Sequence, residues 1–273
     1  MIHERFPRTI ADLQPGDHLC CIYDTEEEHR AVLTPFLRQG LERGEKVIYI
    51  VDARTAEAIL GYLQDNGLDV KPYLASRQLA ILTYHNTYMR EGIFDPEGMI
   101  ALLRAETEQA LAQGYSGLRV TGEMTWALWG LPGSERLIEY EAKLNEFFPD
   151  SKCLAICQYD RRRFDSAVLL DVLRTHPLAI IGTEVYDNSY HIPPAELLGH
   201  DLPAAELRHW VQHLAERKRA EEALRNGEER YRALFEGVPM GLYRTTPDGQ
   251  VFDVNSALVE MLGLLGQGDH TDG

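Results

Sequence analysis

The chain of 273 residues contains only four cysteines, no C-x-x-C pair and no apolar leader at its start. Four cysteines cannot staple a chain of this size. Without a secretory signal they are expected to stay reduced, which predicts a cytoplasmic protein. Long apolar runs are missing as well. Segments such as Val47–Val51 and Leu178–Ile181 are strand-sized, far short of the roughly 20 residues of a membrane span. Positive charge is scarce: 27 Lys and Arg stand against 43 Asp and Glu, a net charge of −16. So acidic a surface repels phosphate backbones and anionic headgroups, and neither nucleic acid nor membrane is an expected partner. Phosphate-binding signatures are absent too. No G-x-x-x-x-G-K-[ST] and no G-x-G-x-x-G occurs, and the segment after the first apolar run reads Asp24-Thr25-Glu26-Glu27-Glu28. Its four carboxylates would repel a triphosphate where a phosphate loop offers backbone N–H groups and a lysine. A nucleophile elbow, G-x-S-x-G, is also lacking, and Ser134 reads as a helix N-cap. Nothing here compels an enzymatic reading; the cofactor is left open, with a redox or haem role for His18 and Cys20 as one variant of a ligand-sensing reading.

What is present is a globular composition, 44% hydrophobic and 26% charged, enough apolar material to bury a core. At roughly 150 residues per domain the length suggests about two domains. Up to about residue 195, strand-like and helix-like segments alternate. Asp17–Tyr23, Lys46–Val51, Leu79–Thr83, Leu118–Thr121, Cys153–Tyr159 and Leu178–Ile181 read as strands. Between them, Glu26–Arg43, Thr55–Asn66, Asp95–Gln113, Ser134–Phe148 and Phe164–Thr175 read as helices, with Pro35 a possible kink in the first. Apolar strands separated by helices predict an α/β three-layer sandwich with a mainly parallel sheet over residues 9–195. Residues 203–232 form a charged helical linker. Leu207, Trp210, Leu214, Leu224 and Tyr231 fall near a 3.5-residue period, interrupted by Arg217 and Glu221, which suits a short parallel coiled coil and a homodimer. Residues 229–264 carry a short helix, a strand from Met240 to Thr245, a Pro-Asp-Gly turn, a strand from Val251 to Val254 and a helix opening at Asn255.

Polar and aromatic residues recur where strands end, the ligand side of open α/β sheets. His18 and Cys20 lie two apart and share one face of the first strand, with Cys21 on the other; Cys153 and Cys157 share a face of a later one. For Cys21, Cys153 and Cys157 simple packing is the favoured reading, and no zinc site of common spacing is signalled. For His18 with Cys20, a ligand-facing role and a packing role both stand. Glu123 follows a strand, with Met124, Trp126 and Trp129 behind it. It is either a capping acid beside a hydrophobic plug or the polar group of an aromatic-lined pocket. Tyr84, His85, Gln158, Tyr159, Asp160 and His176 occupy similar strand ends. The set fits a small, partly apolar molecule better than a phosphate.

Gly16-Asp17-His18-Leu19-Cys20-Cys21-Ile22-Tyr23, the acidic turn after it and Arg43-Gly44-Glu45-Lys46-Val47 resemble the MEDS family of DcmR-like sensory domains. Thr121-Gly122-Glu123-Met124-Thr125-Trp126, Cys157-Gln158-Tyr159-Asp160 and His176-Pro177 are similar to its later blocks. The resemblance implies a RecA/KaiC-like sandwich that has lost its phosphate loop and senses small hydrocarbon-derived ligands. It carries the family's His-x-Cys and Tyr onto His18, Cys20 and Tyr23, and its strand-end acid onto Glu123. The stretch 229–264 resembles the beginning of a PAS domain, an α+β segment, with the helical linker usual in sensor histidine kinases. The expected ligand-binding set is therefore His18, Cys20, Tyr23, Tyr84, Glu123, Trp126, Gln158, Tyr159 and His176, with no metal and no catalytic residue. The expected function is a small-molecule-sensing input module of a cytosolic two-component signalling protein, passing its state to a downstream domain or response regulator. The rival expectation is a ligand-free interaction module on a degenerate RecA-like fold; a cryptic ATPase comes last.

Overall fold

The computed structural model of the protein describes residues 8–52 and 54–263, in two compact units that divide between Trp210 and Val211. The first unit is built on a seven-stranded sheet: β1 (His18–Tyr23), β2 (Lys46–Val51), β3 (Leu79–Thr83), β4 (Leu118–Glu123), β5 (Cys153–Asp160), β6 (Leu178–Ile181) and β7 (Glu184–Asp187). Its order is β3-β2-β4-β5-β1-β6-β7, and every neighbouring pair is parallel except β6 with β7. Helices α1 (Glu26–Glu42), α2 (Ala56–Asp65) and the short α3 (Lys71–Ala75) link the first three strands. They are followed by α4 (Pro96–Ala112), α5 (Leu137–Phe147), α6 (Ser166–Thr175) and the short α7 (Pro194–Leu197). The expected three-layer sandwich with a mainly parallel sheet is what the chain forms.

Strand alternation sorts the core onto two faces. Leu19, Cys21, Val47, Tyr49, Leu154 and Ile156 pack with α1 and α2 on one, the α1 face. Cys20, Ile48, Ile50, Val120, Ala155, Cys157 and Tyr159 pack with α4, α5 and α6 on the other, the α5 face. The α1 helix starts as its sequence dictates. Thr25 Oγ1 caps it by accepting from Glu28 N at 3.1 Å, and Glu28 Oε2 accepts from Asp24 N, just before the cap, at 2.8 Å. The helix runs unbroken through Pro35 and ends before Gly44, whose φ of +72° is the left-handed turn that favours glycine. Asp95 caps α4, with Pro96 at its first position. Ser134 is not the expected cap of α5. It lies inside a short 3-10 turn that precedes the helix, behind Gly133 at φ +84°. The strand β7 is an addition to the expected set, an antiparallel return through a glycine turn at Gly182.

The second unit holds the later part of α8 (Leu202–Gly237), a hairpin of β8 (Tyr243–Thr245) and β9 (Val251–Val254), and α9 (Ser256–Met261). Asn255 is fully buried and organises it. Its Nδ2 donates to Phe235 O at 2.9 Å and Met240 O at 2.8 Å, while its Oδ1 accepts from Leu242 N at 2.7 Å and Leu258 N at 3.0 Å. Among the described residues no helix is long and apolar enough to cross a membrane.

Candidate functional site

The strands β1 and β5 are neighbours, yet α1 leaves β1 for one face and α6 leaves β5 for the other. Their C-terminal ends therefore flank the crevice where open α/β sheets take ligands. Here acid–arginine pairs fill it. Asp24 pairs with Arg161 at 3.0 Å, Glu26 with Arg54 at 2.8 Å, and Asp160 with Arg162 at 2.7 Å. Repulsion by the acidic turn is thus weaker than the sequence suggests, because Asp24 and Glu26 are matched by arginines. A second obstacle to a phosphate is the Thr25 cap, which already engages Glu28 N at the start of α1.

Behind the crevice, on the α1 face, lies a polar network in which the buried His29 Nδ1 makes no hydrogen bond among the described residues. Glu123 Oε2 accepts from Asp52 N and Arg54 N, both at 3.1 Å, and so fixes the turn after β2. The Tyr49 hydroxyl sits 3.1 Å from Glu123 Oε1 and 2.9 Å from Gln158 Oε1. His29, on the buried stripe of α1, donates Nε2–H to Gln158 Oε1 at 2.7 Å, and Gln158 Nε2 donates to Thr121 Oγ1 at 2.8 Å. Burial first, and the Arg54 charge second, hold the His29 pKa down at about 4, so the ring is neutral. Tyr23 joins the edge of this network through Arg54 Nη1 at 3.2 Å.

The α5 face carries the second cluster, and it is built differently. His18 opens β1, Cys157 lies in β5, His176 follows α6, and Glu141 comes from the middle of α5; all four are buried. Glu141 Oε2 is 3.2 Å from His18 Nε2, 3.3 Å from His176 Nε2 and 3.4 Å from Cys157 Sγ, and Cys157 Sγ is 3.6 Å from His18 Nε2. Tyr159 donates its hydroxyl to Glu141 Oε1 at 2.5 Å. The tautomers follow from the outer partners. His176 Nδ1 lies 2.8 Å from Val172 O, a carbonyl that can only accept, so Nδ1 carries the proton. Asn145 turns its NH2 to the carbonyls of Thr175, Ala142 and Glu141 and hence its Oδ1 to His18 Nδ1 at 3.0 Å, so that nitrogen is protonated as well. In the neutral rings both Nε2 lone pairs point inward; a ring that takes a second proton turns an Nε2–H towards Glu141 instead. Burial, then the neighbouring His176, lower the His18 pKa; burial, then the Glu141 charge, push the Cys157 thiol well up. Burial alone would raise Glu141, but His176 and then His18, when they carry a proton, pull it below the usual carboxylate range.

The nine residues expected from sequence thus divide. His18, Tyr159 and His176 meet on the α5 face; Tyr23, Glu123 and Gln158 meet on the α1 face. Cys20 lies opposite Cys157 in the sheet register and packs in the core, its thiol 3.8 Å from Leu178 O. Trp126 is fully buried between Tyr88 and Phe94, and Tyr84 sits half-exposed against His85 and Trp129. Sequence reasoning missed Glu141, Asn145 and His29, and favoured simple packing for Cys157. A signal for Glu141 existed. It falls four residues after Leu137 and three before Leu144, on the apolar stripe of its helix, where a carboxylate needs a partner.

Two openings lie near this face. A small cavity of about 10 Å³ is walled by Tyr88, Met99, Leu103, Val120, Tyr140 and Cys157 among others. A surface cleft of about 160 Å³ above it, between the loop after β3 and α4, shares Tyr88 and Met99 as walls. The Tyr88 hydroxyl rests against Gly122, where a Cβ would lie 2.2 Å from it.

Comparison with known proteins agrees with the sequence reading. A PAS-domain profile matches residues 229–272. The curated transcriptional repressor DcmR of Methylorubrum extorquens is 28% identical over 170 residues, which are 60% of this chain and 60% of the repressor, so the chain spans about three fifths of that relative. Among solved structures, a KaiC-like protein of Pyrococcus horikoshii is similar at 15% identity and a TM-score of 0.43, over 60% of this chain and 70% of its own. The flagellar accessory protein FlaH of Methanocaldococcus jannaschii is similar at 16% identity and 0.44, over 64% and 78%. The architecture rests on the strand order above and not on these two likenesses. The profile of the methanogen/methylotroph DcmR sensory domain matches residues 17–177, well over half of the chain, and the protein belongs to this MEDS family.

Proposed function

We propose that the MEDS domain is the small-molecule-sensing input module of a cytosolic signalling protein. Its ligand would be a small hydrocarbon derivative, and its output a downstream domain or response regulator of the histidine-kinase type, reached through α8. One observation supports this most: the surface cleft and the inner cavity share Tyr88 and Met99, and Cys157 is among the inner cavity's walls. A rotation of Tyr88 and Met99 would join the two and admit a small apolar molecule to the sheet face. An apolar chamber with a few convergent polar groups suits such a ligand. The occupied and empty forms would differ in how the loop after β3 packs, and that difference is what the module would transmit.

The test is thermal denaturation of the full chain against a panel of short alcohols, alkyl halides and methyl thiols. A true ligand raises the Tm saturably. Leu103→Phe, which fills the cavity from α4, should abolish the rise. The reading fails if no panel member stabilises the wild type, or if Leu103→Phe responds equally.

A second reading, a ligand-free interaction module, draws support from α8. Leu207, Trp210 and Leu214 are 65%, 61% and 65% exposed on one helix, an unusual display of apolar surface. A partner whose binding is indifferent to the whole panel would favour it.

A further inference from the structure

The α5-face cluster has the donor set of a metal centre, and four of its six donor–donor distances match one. We infer that His18, Glu141, Cys157 and His176 bind one zinc ion in a tetrahedral site that clamps α5 to the sheet. Zinc held at about 2.0–2.1 Å from nitrogen and oxygen and about 2.3 Å from sulfur sets tetrahedral edges of roughly 3.3 Å between N or O ligands and roughly 3.6 Å to sulfur. The two N–O edges here are 3.2 and 3.3 Å, and the two edges to sulfur are 3.4 and 3.6 Å. The other two edges, from His176 Nε2 to His18 Nε2 and to Cys157 Sγ, lie within 4.8 Å, so the His176 ring has to close on the ion as it binds.

The surroundings point the same way. Ligating histidines usually donate their other ring N–H outward, which fixes the tautomer. His18 does so to Asn145 Oδ1 and His176 to Val172 O. His176 Nε2, wholly buried, makes no hydrogen bond among the described residues although it lies 3.3 Å from Glu141. Two inward lone pairs facing a carboxylate repel one another unless a proton or a metal ion lies between them. No Lys or Arg among the described residues pairs with Glu141. A Zn²⁺ ion with one carboxylate, one thiolate and two neutral imidazoles has no net charge, which suits a buried site. On binding, the Cys157 S–H bond breaks, a Zn–S bond forms, and the proton leaves to solvent. Four protein ligands make a closed site of the structural kind. It would tie together β1, β5, α5 and the segment before β6, parts of the chain that meet only in the folded state. This inference goes beyond the sensory reading and does not depend on it.

The experiment uses the full chain, purified without chelators, with metal measured by mass spectrometry. One zinc per chain should survive gel filtration. After removal of zinc with dipicolinate, Co²⁺ should give the intense visible bands of a tetrahedral ion and a thiolate-to-cobalt charge-transfer band. Cys157→Ser should lose that band, whereas Cys20→Ala, the neighbouring buried thiol, should keep it. X-ray absorption of the wild-type cobalt form, which needs no variant to fold, should show one sulfur scatterer among nitrogen and oxygen. Asn145→Leu should weaken metal binding about 10–100-fold. A folded wild type that neither retains zinc nor takes up Co²⁺ overturns the inference, as does a charge-transfer band that survives Cys157→Ser.

Discussion

At the scale of single residues, the buried polar groups of the α1 face make stability depend on pH. His29 has a folded-state pKa of about 4, against about 6.5 in the unfolded chain. The depressed value means that the unfolded state binds the extra proton between those limits. The contribution is therefore complete above pH 6.5 and is lost as the pH falls towards 4. A shift of this size corresponds to about 3 kcal/mol. Urea unfolding of the wild type should lose about 2 kcal/mol more between pH 7 and pH 4.5 than unfolding of His29→Gln, the rest of the shift being lost below pH 4.5, and parallel pH profiles would refute the assignment. A second residue-level effect concerns Gly40 on α1. A Cβ there would lie 2.7 Å from the Arg119 side chain and 2.9 Å from Val47. Arg119 cannot step aside, since it is fully buried and bound to Glu45, Phe36 O at 3.0 Å and Gln39 Oε1 at 3.1 Å. Gly40→Ala should destabilise by about 1–3 kcal/mol, seen as a lower urea midpoint with an unchanged slope.

At the scale of elements, legibility followed how local the cause was. Lys46–Val51 reads as a strand because its run is apolar and β-branched, and α1 reads as a helix because Thr25, the apolar spacing and Gly44 act within a few turns. The antiparallel β7 was not read, since its pairing with β6 depends on a turn at Gly182 and on where the sheet happens to end. The site followed the same rule. That His18 and Cys20 share a face is a matter of strand period, and the structure bears it out. That His18 meets Cys157, 139 residues away, rather than making its polar contacts with Cys20, depends on the β1–β5 register, which no local pattern encodes. In the second unit, Asn255 was legible as a helix start but not as a fourfold hydrogen-bond hub. Asn255→Asp tests that role. The carboxylate keeps both acceptor functions towards Leu242 N and Leu258 N but turns an oxygen towards the carbonyls of Phe235 and Met240. It should therefore cost nearly as much as Asn255→Ala, about 2–3 kcal/mol of local stability. Hydrogen exchange across residues 240–260 reads this out; an Asp variant as protected as the wild type would show that the two donated bonds contribute little.

At the scale of the whole molecule, the net charge of −16 and the exposed apolar residues of α8 act against each other. Two copies of so acidic a chain repel at low ionic strength, so association along α8 has to come from its apolar positions. Leu207, Trp210 and Leu214 form one apolar block, and Leu224 and Tyr231 begin another. Between them, Arg217 and Glu221 occupy positions of the same seam, and on one helix they already pair at 2.9 Å. In an in-register parallel pair Arg217 stands opposite Arg217 and Glu221 opposite Glu221, each one layer from the opposite charge of the second copy, so these layers weaken the pair while fixing its register. This predicts a dimer whose affinity rises with salt, as charge repulsion is screened while the apolar blocks persist. Leu214→Glu should turn it into a monomer by sedimentation equilibrium. Replacing both Arg217 and Glu221 by Leu should tighten association and admit other registers or higher oligomers, because the polar layer that selects one alignment is gone. A wild type that stays monomeric at high salt and millimolar chain concentration would remove α8 as a dimer seam. The exposed stripe would then have to be covered by a different protein, which is the second reading of its function.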